Sequence, residues 1–183
     1  MINDKLLENR IIFLNGEVDN ITAHDIITKL LYLDSINNEE ISFYINSRGG
    51  DVIQGLAIID CMNIIKSNVA TYCIGSAYSM ASIILSCGTK GKRYALPNSE
   101  IMIHSPSSRL AGTSDEIELS SKRLSLTKQK LIEILYTTTN KPKKQIEQQL
   151  NYDNFMNTTQ ALQFGIIDKI IKSSWFKKIK VIN

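Results

Sequence analysis

Histidine is nearly absent: His24 and His104 are the only two in 183 residues, and they stand far apart in the chain. A zinc site would have to be assembled mainly from carboxylates or cysteines, and no spacing supports one, so no metal is expected. Cysteine is scarce too. Cys61, Cys73 and Cys87 are an odd count without a C-x-x-C pair, each among apolar neighbours. They read as buried free thiols in a reducing compartment, which excludes a disulfide framework. With three prolines and no low-complexity linker, one domain over 1–183 is expected. The longest apolar stretch, around Met80 to Leu85, is far too short to span a bilayer. Asp4, Glu8 and Arg10 stand where a signal peptide would carry an apolar core, so a soluble, intracellular protein is expected. The net charge of +3 is too small for a nucleic-acid surface. The densest basic stretch, Trp175 to Lys180, reads as a solvated tail.

What is present is ordinary globular material, 43% hydrophobic and 21% charged. Ile11 to Leu14 reads as a buried strand closed by the turn dipeptide Asn15-Gly16. Thr22 with Asp25 resembles a capping box opening a helix through Ile26, Ile27, Leu30 and Leu31. Strands are expected at Ile41 to Ile45, Val69 to Ile74, Tyr94 to Leu96, Ile101 to Ile103 and Ile166 to Ile171. Helices are expected from about Val52 to Ile65, Met80 to Cys87 and, capped by Asn157 and Gln160, up to Gly165. This alternation predicts an α/β fold with a mainly parallel sheet. After Gly112, Thr113 with Glu116 caps a helix that meets no breaker before Asn140 and Pro142. About 25 residues at 1.5 Å each run nearly 40 Å, long enough either to pack along its own domain or to reach another subunit.

Three polar features stand at strand ends, where α/β folds place their chemistry. Ser47-Arg48-Gly49-Gly50-Asp51 lets the backbone turn sharply and frees N–H groups, but it is no nucleotide-binding signature. Gly75-Ser76-Ala77-Tyr78-Ser79-Met80-Ala81 puts Ser79 at the start of a helix, where an N-cap is the ordinary role. It departs from the G-x-S-x-G elbow. Met102-Ile103-His104-Ser105-Pro106 ends an apolar strand on a histidine. His24 reads as a solvated surface residue. Ser79 and His104 form a possible nucleophile–base pair; the third group such a pair needs could be Asp51, Asp115 or Asp153, and spacing does not choose.

These residues closely resemble the Clp protease proteolytic-subunit family, ClpP, from about Leu6 to Ile171. Tyr44-Ile45-Asn46-Ser47-x-Gly49-Gly50 looks like the family's glycine segment, and Gly75-x-Ala77-x-Ser79-Met80 matches its nucleophile motif. Gly91 to Ser99 followed by Met102-Ile103-His104-x-Pro106 resembles its histidine block, and Asp153-x-Phe155-Met156 with Ala161 and Gly165 its third region. The separations, 25 positions from Ser79 to His104 and 49 from His104 to Asp153, agree. The resemblance implies a crotonase-like α/β fold with a protruding handle helix, the head at about 1–111 and 151–183 and the handle at about 112–150. It implies ATP-independent peptide hydrolysis without a cofactor, by Ser79 as nucleophile, His104 as base and Asp153 as its orienter. The backbone amides of Gly50 and Met80 would form the oxyanion hole. Implied partners are peptide substrates, a AAA+ unfoldase of the ClpX, ClpA or ClpC type, and further subunits in heptameric or mixed rings.

The sequence departs from the family pattern in places. The N-terminal segment that lines the axial pore has little counterpart before Leu6, and Arg48 replaces the usual proline before the glycines. Ser76, Tyr78 and Ala81 alter the small residues around the nucleophile. Ser107 to Ala111 replaces a glycine-richer strand, and Asn151-Tyr152 stands where a charged pair often links the rings. The competing readings are a non-catalytic or partner-dependent structural subunit of a mixed ring, and a crotonase-type acyl-CoA protein. An intact serine, histidine and aspartate counts against the first, and the handle block against the second.

Overall fold

The computed structural model describes residues 2–109 and 111–171. The basic stretch from Trp175 lies outside them. The elements run α1 (Ile2–Glu8), β1 (Ile11–Val18), α2 (Asn20–Ile36), β2 (Ile41–Gly50), α3 (Val52–Ile64), β3 (Val69–Tyr78) and α4 (Met80–Ser86). There follow β4 (Arg93–Ala95), β5 (Glu100–Ile103), α5 (Ser114–Thr139), α6 (Lys143–Gln149), β6 (Asn154–Asn157), α7 (Thr158–Phe164) and β7 (Lys169–Ile170).

The strands form one sheet in the order β1-β2-β3-β4-β7, and β5 also pairs with β3. All these pairings are parallel; only β6 runs antiparallel, against β5. The expected α/β fold with a mainly parallel sheet is what the chain adopts. β2 shows why it is stable. Ile41, Phe43 and Ile45 alternate into the core, where they meet Ile26, Leu30, Ile58 and Ile84 from the helices on that face. Alternation sends Tyr44 to the opposite face, where Phe13, Tyr44, Tyr72 and Tyr94 stack across four strands at 5.3, 4.7 and 4.8 Å between ring centroids.

Several expected boundaries move. Asn15-Gly16 does not close β1; the strand continues to Val18 through a bulge, with Gly16 at φ 95°. Helix α2 is capped one turn earlier than Thr22: Asp19 is the N-cap and Thr22 completes its capping box, while Asp25 pairs with Lys29 at 2.6 Å. β2 runs on through the glycine pair to Gly50, and β3 through Tyr78, each across a register shift. β7 shrinks to two residues, Ile166 and Ile167 being buried ahead of it.

Thr113 and Glu116 form the expected capping box of α5, whose 26 residues span roughly 39 Å. Ile117, Leu124 and Leu131 recur every seven residues along α5, and this row is buried only at its far end. Leu131 is in the core, whereas Ile117 is exposed and Leu124 half-buried. The first half of α5 therefore stands away from the core that anchors its second half. Arg93 and Asp168, unremarked in the sequence, lock this corner. Arg93 donates to Asp168 at 2.8 and 2.6 Å and to the carbonyls of Ser86 and Thr138, tying β4, α4 and α5 together.

Candidate active site

Ser79 sits between β3 and α4 with φ 52° and ψ −125°, a conformation L-residues rarely adopt. It occupies the N-cap position, but its side chain makes no capping hydrogen bond. The ordinary role of a serine here is thus refused, and the backbone carries strain on the order of 1–3 kcal/mol. Two features hold it. The Ser79 amide donates to the Met102 carbonyl of β5 at 2.8 Å. Gly49 packs so closely from behind that a Cβ there would stand 2.6 Å from the Tyr78 carbonyl oxygen and 2.9 Å from the Met80 amide nitrogen. Only glycine fits, and its φ of 91° suits it as well. The sharp strand-to-helix turn of a nucleophile elbow is present without the G-x-S-x-G pattern.

His104 follows β5 immediately. Its Nε2 lies 2.9 Å from Ser79 Oγ, and its Nδ1 2.8 Å from Asp153 Oδ1. An ionised carboxylate can only accept, so Nδ1 carries the proton and Nε2 is left to accept from the serine hydroxyl. The antiparallel register explains the meeting. Ile103 lies opposite Asn154 and Met102 opposite Phe155, so the next step along brings His104 beside Asp153. The Ser105 amide donates to the Leu150 carbonyl at 2.8 Å, and Asn154 Nδ2 to Gln149 Oε1 at 2.7 Å, fixing the turn that presents the carboxylate.

The structure also separates the other candidates. Asp51 caps α3 by accepting from the Gln54 amide at 2.9 Å, and Asp115 lies in the first turn of α5. His24 is exposed on α2. Burial pushes the Cys73 and Cys87 thiols up to about 12, so neither offers a thiolate at neutral pH. Gly50 ends β2 opposite Val18, and Met80 opens α4, where the first amides have no intrahelical acceptor. A cleft of about 540 Å³ opens beside Gly49 and Gly50, lined also by Glu17, Arg48 and Ser76. Among the described residues no group of three or more His, Cys, Asp or Glu is arranged to hold a metal ion. No described helix is long and apolar enough to cross a membrane. Spacing gave no hint of Tyr78 as part of the site. Its hydroxyl donates to Glu100 and its ring meets Phe155 edge-on at 5.6 Å.

A strained serine, an imidazole that accepts from it and a carboxylate behind the imidazole are the parts of acyl-transfer chemistry. The comparisons with known proteins agree. The family model described as Clp protease matches residues 1–174. Over 171 residues the chain is 44% identical to the ATP-dependent Clp protease proteolytic subunit of Carsonella ruddii (strain PV), an alignment covering 93% of this chain and 88% of that protein. The chain belongs to the Clp protease family, as a proteolytic subunit of serine-peptidase type.

Proposed function

We propose that Ser79, His104 and Asp153 carry the peptide hydrolysis of this subunit. The observation that supports it most is the unbroken path from Ser79 Oγ through both ring nitrogens of His104 to Asp153, at 2.9 and 2.8 Å. Ser79 Oγ attacks the scissile carbonyl as Nε2 takes its proton; the acyl-enzyme forms when the same proton passes to the leaving amine. Water then repeats the cycle in reverse roles. Asp153 holds the ring in the tautomer that leaves Nε2 free and stabilises the imidazolium. The amides of Gly50 and Met80 receive the negative charge on the tetrahedral oxygen, each contributing about 3 kcal/mol to the barrier reduction. Met80 is suited to this as the first residue of α4, whose N-terminal end favours negative charge.

The relative's name, ATP-dependent, supports an energy-consuming partner, here a AAA+ unfoldase of the ClpX, ClpA or ClpC type that delivers unfolded chains to this site. The described residues support a head, up to 109 and from about 151 to 171, and a handle at about 112–150. The exposed Ile117, Leu119 and Leu126 of α5 support that handle as a contact between subunits of heptameric or mixed rings in the cytoplasm.

The experiment is fluorophosphonate labelling of the purified chain with peptide mapping of the adduct. Modification is expected on Ser79, and its loss in both Ser79→Ala and His104→Ala; hydrolysis by Ser79→Ala should fall by a factor on the order of 10⁶. An unmodified Ser79, alone and in a mixed assembly with a second subunit, overturns the assignment.

A further inference from the structure

Tyr78 precedes Ser79, and its side chain reaches both of the other strands that serve the site. Its hydroxyl donates to Glu100 on β5, and its ring meets Phe155 on β6. Tyr78 pairs in register with Met102, and Met102 with Phe155, so the three residues form one row across β3, β5 and β6. Strands two apart stand roughly 9.6 Å from each other. Rings whose centroids are 5.6 Å apart must therefore lean together over the middle strand, closing above Met102, which is only 7% exposed. The Met102 backbone carbonyl is the group that holds the Ser79 amide, at 2.8 Å.

The three proposed catalytic groups lie one or two residues beyond this row. Ser79 is one residue past Tyr78, His104 two past Met102, and Asp153 two before Phe155. A displacement of any strand in the row becomes a displacement of one of those groups. Both the 2.9 Å and the 2.8 Å contacts of His104 depend on β3 and β6 keeping their distance from β5.

We propose that Tyr78 is a positioning residue: with Glu100 and Phe155 it clamps β3, β5 and β6 directly behind Ser79, His104 and Asp153 and so sets their spacing. This rests on the peptidase reading of those three residues. The hydroxyl fixes the direction of the ring through Glu100, and the edge-on contact with Phe155 transmits that direction to the strand bearing Asp153. Mispositioning by a fraction of an ångström acts on the chemical step, because the near-attack geometry is what the clamp supplies.

The test uses the full chain and four variants, Tyr78→Phe, Glu100→Ala, Glu100→Gln and the double Tyr78→Phe/Glu100→Ala. It measures kcat and KM on a fluorogenic peptide amide, the rate of fluorophosphonate modification of Ser79, and the folded fraction of each variant. Tyr78→Phe and Glu100→Ala should each lower kcat and the labelling rate about tenfold with KM unchanged, an effect of about 1.4 kcal/mol on the barrier. Glu100→Gln, whose amide oxygen still accepts from the phenol, should retain the rate within about twofold. The double variant should be no slower than either single one, since both remove one contact. Wild-type rates in Tyr78→Phe, additive losses, a loss confined to KM, or one that vanishes after correction for folded fraction each overturn the clamp while leaving the peptidase assignment standing. Failure of the unsubstituted chain to label Ser79, both alone and in a mixed assembly with a second subunit, overturns that assignment, and the clamp with it.

Discussion

Asp153 and Asp168 each grip a nitrogen partner at nearly the same distance, 2.8 Å to His104 and 2.6 Å to Arg93. Their surroundings differ. The side chains of Arg93 and Asp168 are 1% and 14% exposed, those of His104 and Asp153 28% and 61%. Asp168 also accepts from the Gly91 and Arg93 amides, so its lone pairs are spent on the fold. Arginine keeps its charge at any pH the protein meets and can pass on no proton. Histidine can, and it does so usefully only where a substrate can reach it. The two pairs look alike as contacts, and burial together with the partner's proton chemistry is what separates the structural pair from the proposed catalytic one.

Replacing Asp153 by Asn tests that assignment most severely. The amide removes the negative charge that selects the Nδ1–H tautomer and stabilises the imidazolium, so kcat should fall by a factor on the order of 10³ to 10⁴. The unfolding midpoint should stay put, because the side chain is mostly exposed and supports no other part of the fold. Steady-state kinetics beside thermal unfolding reads both. An Asp153→Asn variant with near-normal kcat would mean that packing alone orients His104, and the comparison would collapse.

Asp168→Asn should invert the pattern, leaving kcat per folded molecule unchanged and lowering stability by about 3 kcal/mol, since Arg93 stays buried without its countercharge. Burial raises the Asp168 carboxyl, but hydrogen bonds from Arg93 and its charge outweigh that and hold the pKa below the ordinary carboxylate value. A depressed folded pKa contributes stability that is complete above the unfolded value, about 3.9, and is lost as pH falls through the folded one. Denaturant unfolding should therefore show the variant's deficit undiminished from neutral pH down to about 5, shrinking only in acid. A deficit that grows on acidification would contradict the ion pair as its source.

Legibility followed sequence distance. The β2 and β3 strands, the α5 capping box and the Asn157–Gln160 cap are local patterns, and each forms. Local chemistry also marked Ser79 and His104 as a possible pair. Asp153 could not be chosen over Asp51 or Asp115 from spacing, because its contact with His104 follows from the antiparallel pairing of β5 with β6, some 50 residues apart. β6 itself, Asn154–Asn157, is poor in strand-forming side chains and exists because β5 offers it an edge. Resemblance to a family, not periodicity, singled out Asp153. Asn15-Gly16 misled in the other direction, a strong turn dipeptide overridden by pairing with β2. The Arg93–Asp168 pair, 75 residues apart, left no local mark.

Glu116 carries the comparison to its weak limit. Like Asp153 and Asp168 it is a carboxylate with fixed donors, accepting from the Thr113 amide at 2.8 Å and from the Thr113 hydroxyl at 3.1 Å. Those hydrogen bonds, the backbone one first, lower its pKa, yet the group is fully exposed. It holds no strand, carries no proton for a reaction and faces water that competes for each contact. Glu116→Gln should leave kcat and the unfolding midpoint unchanged, because glutamine can still close a capping box. Glu116→Ala should speed amide hydrogen exchange only at Thr113 and the adjoining first turn of α5, since the N-cap amide of Thr113 loses its acceptor. Faster exchange reaching Leu131 and Leu135, where α5 joins the core, would show that the cap is coupled to the whole helix. In that case exposure would not be what separates a local contact from a structural one.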